Sequence, residues 1–134
     1  MIHMKLSMDE ILLMNALTQV TGVSAKDCLV DGQLVSFLIP QKLMGKAIGK
    51  NATNIKNLQQ QLNKRIELIS YLEKAEDVFA NALEVNYATA RKSGDKIIVL
   101  LDAQNKAKAF KNNSRIKRVK EIIRRNFNLE LIIN

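Results

Sequence analysis

Glycine and lysine, spaced closely between residues 45 and 56, are the residue types in this chain whose arrangement could do chemistry. From Lys46 to Lys56 the sequence reads Lys-Ala-Ile-Gly-Lys-Asn-Ala-Thr-Asn-Ile-Lys. A glycine turns the backbone sharply without a Cβ clash and lets a second backbone approach closely. Lys46, Lys50 and Lys56 supply positive charge where that second backbone would pass. The chemistry is therefore the holding of a phosphodiester, not the making or breaking of a bond. Gly49, Lys50, Asn51 and Ala52 make up the turn itself, with Ile48 before it and Asn54 and Ile55 directly after it.

Two short helices must position this loop. Leu43, Met44, Ala47 and Ile48 form an apolar helix pattern running into Gly49, and Ile55, Leu58 and Leu62 begin a second one directly after it. The stretch Ile48-Gly49-Lys50-Asn51-Ala52-Thr53-Asn54-Ile55 resembles the Ile-Gly-X-X-Gly-X-X-Ile signature of KH domains, whose GXXG loop clamps nucleic-acid backbone. It departs at Ala52, where the family has its second glycine. Alanine resists positive φ, so a tighter or weaker-binding loop is expected. The same residues also read as an ordinary helix–turn–helix linker with a capping glycine.

Upstream, Ser7-Met8-Asp9-Glu10 is a capping box. It opens a helix that is apolar over a wide arc through Ile11, Leu12, Met14, Leu17 and Val20, ends near Gly22 and is expected to be buried on more than one side. Lys26–Val30 and Leu34–Ile39 read as strands joined by an Asp31-Gly32 hairpin turn, and Pro40 ends the second. Past the loop, a helix from about Ala52 to Asn63 is followed by alternation over Arg65–Ile69, the pattern of a third strand.

The chain then repeats itself. Ala75, Val78, Phe79, Ala82 and Leu83 mark one helix face. Val85–Arg91 and Lys96–Leu101 read as strands with Ser93-Gly94-Asp95 between them. Ala107-Lys108-Ala109-Phe110 matches Gly45-Lys46-Ala47-Ile48, Ile116-Lys117-Arg118-Val119 matches Ile55-Lys56-Asn57-Leu58, and Leu129–Ile132 echoes Ile66–Ile69. The second loop, Lys111–Arg115, is one residue shorter and lacks glycine. A left-handed Asn112 or Asn113 is expected to make its turn. The following helix keeps Ile116, Val119, Ile122 and Ile123 for a buried side, which assigns its cations to the outer face. Lys108, Lys111, Asn112, Arg115, Lys117 and Arg118 are the candidate RNA contacts of this copy.

The totals agree with a polyanionic partner. The 134 residues carry a formal charge of +8, and both halves are basic: eight Lys and Arg against five Asp and Glu in residues 1–70, thirteen against eight in 71–134. Such a balance favours nucleic acid first and an acidic membrane surface second. No apolar run approaches the roughly 18 residues of a membrane span, and no signal peptide is evident; a cytoplasmic protein is expected. The single Cys28, in a strand-like run, reads as a buried structural thiol, and the single His3 stands near the N-terminus. No metal-ligand spacing, nucleophile elbow or phosphate-binding P-loop occurs, so no enzyme, metal or cofactor is expected.

Two consecutive repeats of this order are similar to the archaeal NusA-like transcription factors. The resemblance implies an α+β fold of two tandem type II KH domains, residues 1–70 and 71–134. Each would run α-β-β-α-α-β, with a three-stranded sheet packed by helices on one face. It further implies single-stranded RNA binding in transcription termination or antitermination, with the first loop as the clamp. Bacterial relatives add a polymerase-binding N-terminal domain and an OB-type domain, neither of which is seen in this sequence. RNA polymerase and the ribosome both stay open as protein partners. A ribosome-associated or RNA-processing KH protein, a duplex-DNA binder using residues 114–126, and a basic scaffold protein are the alternatives.

Overall fold

The computed structural model describes residues 8–134. Ser7 of the expected capping box and His3 lie outside the described residues. The chain forms two compact units that divide between Tyr71 and Leu72.

In the first unit, helix α1 spans Met8–Thr21. It stops because Gly22 turns left-handed at φ +75° while its amide still reaches Thr18 O at 2.8 Å. The Thr21 hydroxyl completes the end, donating to Leu17 O and accepting from the amide of Val23. The helix buries less than its composition suggests: Leu17 and Thr21 are buried, whereas Ile11 and Leu12 stay 42% and 60% exposed. Strands β1 (Asp27–Asp31) and β2 (Leu34–Pro40) pair antiparallel. Asp31 pairs with Leu34, so the turn residues are Gly32 and Gln33, one position beyond the expected Asp31-Gly32. Gly32 supplies the positive φ that such a two-residue turn requires.

Strand β3 (Arg65–Tyr71) lies parallel to β2, with Leu34 opposite Arg65. A parallel neighbour needs a crossover connection, and here that crossover is the functional segment itself. It comprises a 3₁₀ turn at Gln41–Leu43, helix α2 (Met44–Ile48), a second 3₁₀ turn at Lys50–Ala52 and helix α3 (Thr53–Leu62). Leu17, Cys28, Val35, Phe37, Ile39, Ala47 and Leu58 are fully buried in one cluster. Alternate residues of β2 thus face the helices, and both ends of the crossover are anchored by core side chains. Cys28 is the buried thiol expected.

The second unit repeats the order. Helix α4 (Ala75–Leu83) precedes antiparallel strands β4 (Thr89–Ser93) and β5 (Lys96–Leu100), then helices α5 (Ala103–Phe110) and α6 (Asn113–Phe127) and strand β6 (Glu130–Ile133), parallel to β5. Each unit therefore holds one mixed three-stranded sheet in sequence order. This is the α+β, α-β-β-α-α-β architecture that the repeat implied.

One expected strand is shorter than its pattern. Val85–Tyr87 is not strand because its polar groups are committed elsewhere, and Ala88 meets β5 only through its amide on Leu100 O at 2.8 Å. The Val85 amide bonds Ala80 O at 3.0 Å, the Asn86 amide bonds Asn105 Oδ1 at 3.0 Å, and the Tyr87 hydroxyl donates to Asp77 Oδ1 at 2.7 Å. Asn105 is fixed in turn by Asp102, which caps α5 by accepting from the Asn105 amide at 2.8 Å. That backbone donor holds the Asp102 carboxyl below its ordinary pKa.

Candidate nucleic-acid interface

The loop between α2 and α3 is built from three unusual backbone positions in four residues. Helix α2 closes with the Gly49 amide on Gly45 O at 2.9 Å. Gly49 then adopts φ +78°, ψ 167°, and Asn51 and Ala52 follow at φ +55° and +59°. Glycine is required at 49 for two reasons. The positive φ disfavours a side chain, and an added Cβ would sit 2.8 Å from Asn54 Cγ and 3.0 Å from the Asn54 amide nitrogen. Ala52 occupies the position of the family's second glycine and takes the left-handed conformation despite its Cβ, at a cost of about 1–2 kcal/mol.

Side chains strap this geometry shut. Asn54 Nδ2 donates to Lys46 O at 2.9 Å, tying the first turn of α3 back across the loop to α2. The Thr53 hydroxyl donates to Lys50 O, and the Ala52 amide reaches Gly49 O at 3.1 Å. Ala52, as N-cap, offers no side-chain acceptor to the amides of α3. The positive end of that helix therefore faces the loop without a side-chain cap, which suits it to an anion.

The structure sorts the residues that the sequence put forward. Lys50, Asn51 and Lys56 are exposed around the loop, Ile48 is 37% exposed and Ile55 is half-buried. These are brought together. Lys46 is different: its Cε and Nζ lie 3.3 Å from where a Gly22 Cβ would be. Its charge therefore sits at the C-terminal end of α1, where helix carbonyls attract a cation, and its carbonyl is what serves the loop. Thr53 was not singled out by sequence reasoning; its hydroxyl donates back to Lys50 O instead of accepting from a helix amide, so it lacks the N-cap signal by which a threonine marks a helix start.

The second loop is a different structure. Lys111 and Asn112 have φ −65° and −127°, so the expected left-handed asparagine is not used. Asn112 instead caps α6, its Oδ1 accepting from the Arg115 amide at 3.3 Å, and Asn113 is already helical. The helix end that is uncapped in the first unit is occupied here by the chain's own side chain.

The basic face of α6 is also thinner than a count of its cations suggests. Lys108, Lys111 and Lys117 are exposed. Arg118, assigned from the sequence to the outer face, is only 8% exposed. It lies one helical turn from Ile122 on the packed side, where the long stem of an arginine can be buried. Arg115 is half-buried and its guanidinium donates to Ala82 O at 3.4 Å. Arg124 is engaged by Glu121 through two bonds, Nε to Oε1 at 2.7 Å and Nη2 to Oε2 at 2.8 Å. That guanidinium holds the Glu121 carboxyl below the usual carboxylate range. Among the described residues, no cluster of His, Cys, Asp or Glu could hold a metal ion. No helix there is long and apolar enough to cross a membrane.

Comparison with known proteins gives the same picture. The KH domain family model matches residues 34–87, a span that includes β2, the Gly49 loop and β3. A probable transcription termination protein NusA of Halococcus morrhuae is 44% identical over 64 residues, covering 48% of this chain and 46% of that protein. Its namesake from Methanococcus vannielii is 27% identical over 100 residues, covering 72% and 58%. The chain spans about half the length of the curated relatives it matches. A solved structure, "Crystal structure of APE1850", superposes on 96% of this chain and 100% of its own with a TM-score of 0.81 at 25% identity. The resemblance to archaeal NusA-like proteins, drawn from Ile48–Ile55 and the repeated order of elements, is borne out.

Proposed function

We propose that this NusA-like KH protein binds unpaired RNA at the Gly49 loop and acts in transcription termination or antitermination. The observation that carries the binding reading is the loop itself. Three positive-φ residues in four expose backbone between two anchored helices, at the uncapped N-terminus of α3, with Lys50 and Lys56 exposed beside it. The Gly49 and Ala52 amides are held by Gly45 O and Gly49 O, so consecutive phosphates would meet the cations and the remaining loop amides at Lys50 and Asn51, while Ile48 and Ile55 supply apolar surface for bases. RNA is favoured over a rigid duplex because a loop of this kind grips about four backbone nucleotides whose bases are free to splay. The transcriptional role rests on the printed names of the archaeal relatives.

The test is fluorescence anisotropy with a short unpaired RNA, its duplex and the matching DNA, across a salt series. Affinity for the unpaired RNA should fall with salt, by about 0.7 in log–log slope for each phosphate neutralised. The double change Lys50→Asp, Asn51→Asp places two carboxylates at exposed loop positions, the second at a left-handed residue that aspartate tolerates. It should abolish binding while leaving the melting temperature nearly unchanged. Equal affinity in the double variant would remove the loop from the mechanism.

A further inference from the structure

The residues between Asp31 and Glu67 include no carboxylate, and the chain folds three of its cations in that stretch into one cleft. The cleft is open, about 610 Å³, and runs along α3 from Lys56, in the first turn past the loop, to the helix's far end. Lys56, Gln59 and Gln60 line it from α3, Gln33 from the β1–β2 turn, and Lys64 and Arg65 from the start of β3. Asn63 completes the α3 face, since positions 56, 59, 60 and 63 follow the i, i+3, i+4, i+7 spacing of one helix side.

The local backbone fixes this convergence. Asn63 ends α3 in a left-handed conformation at φ +52°, and the Lys64 amide turns back to Gln59 O at 3.4 Å. The Arg65 amide then bonds Gln33 O at 2.9 Å, which holds the turn and β3 together. Every lining residue is a cation or a carboxamide, and none is apolar or acidic. The carbonyl end of a helix carries about half a negative charge, whereas Lys64 and Arg65 bring two full positive ones, so the sign at this end is positive. The matching ligand carries repeated negative charge and hydrogen-bonding groups at once.

We propose that this cleft is a second contact for the RNA strand, which leaves the Gly49 loop and continues along α3. Lys56, which lines the cleft and opens the α3 face just past the loop, is the hinge between the two contacts. Along α3 the rise from Lys56 to Leu62, where the helix ends, is about 9 Å, so the two contacts are sequential along one strand. Phosphates meet Lys56, Lys64 and Arg65, and the carboxamides of Gln59 and Gln60 meet base or sugar edges. This inference rests on the proposed RNA reading of the loop, and its test separates the two.

The full-length chain is compared with its Lys64→Ala, Arg65→Ala variant on an unpaired RNA of four nucleotides and one of ten. The four-nucleotide RNA fills only the loop and should bind both proteins within about twofold. The ten-nucleotide RNA should bind the variant about tenfold more weakly, with a salt slope shallower by about 1.4, or 0.7 for each phosphate released. The near-isosteric change Gln60→Glu, which keeps both cations, should weaken the longer RNA alone. Equal binding of the ten-nucleotide RNA by variant and wild type overturns the second contact while leaving the loop intact. Equal weakening of both RNAs also overturns it, because the cleft would then belong to the loop's own site. Failure of the wild type to bind either RNA sinks the loop reading and this inference together. Displacement of the longer RNA by polyglutamate at matched charge overturns it in favour of an acidic protein ligand.

Discussion

Gly49 and Ala52 stand three positions apart in one loop, both at positive φ, and respond in opposite directions to exchange of a single methyl group. Gly49→Ala drives a Cβ to 2.8 Å from Asn54 and into a φ of +78°, so the strap from Asn54 to Lys46 must give way. A loss of at least about 1–2 kcal/mol is expected. Ala52→Gly removes a comparable left-handed penalty and restores about 0.4–1 kcal/mol of unfolded-chain entropy. The expected net gain is about 0.5–1 kcal/mol. Urea unfolding at constant slope reads both changes as midpoint shifts in opposite directions. A lower midpoint for Ala52→Gly would contradict the left-handed placement of Ala52. At this scale the sequence was readable where a residue type allows one conformation, as at Gly49. It was less readable at Ala52, where intrinsic preference opposed the fold, and at Arg118, whose charge pointed outward on paper while its stem packs inward.

Elements were legible where hydrophobic spacing, turn residues and the internal repeat decided them: all twelve helices and strands of the described chain fall in the order these predicted. They were misread where side-chain hydrogen bonds decided instead. Val85–Ala88 has a strand's composition, yet Tyr87 is bound to Asp77 on α4. The Asp77 carboxylate accepting the phenol proton, together with burial, pushes the Tyr87 pKa up to about 12. A phenol whose folded pKa is raised stabilises the fold below its ordinary value of about 10, and that stability is lost as pH rises from there through 12. Unfolding measured from pH 9 to 12 should therefore show a decline that is smaller in Tyr87→Phe. In a phenolate absorbance titration, Asp77→Asn should bring one tyrosine down towards 10. An unchanged titration in Asp77→Asn would mean that this hydrogen bond does not hold the segment. The missed asparagine turn has a similar cause, since Asn112 spends its carboxamide on capping α6.

Over the whole molecule, two units of one topology carry the net charge of +8 but divide the chemistry unequally. The first has a strapped, uncapped loop followed by a cationic cleft. The second has a capped helix, and two of the arginines that made its sequence look basic are buried or paired. Repetition and charge were visible in the residues. The inequality was less so, because it depends on which donors the chain satisfies for itself. The proposal that RNA is held by the first unit's loop is tested most directly by amide chemical shifts during titration with a four-nucleotide unpaired RNA. The account predicts shifts concentrated from Gly45 to Lys56, strongest at Gly49–Asn54, with α6 nearly silent. Shifts concentrated on Lys108–Lys120, with the Gly49 loop unmoved, would contradict it.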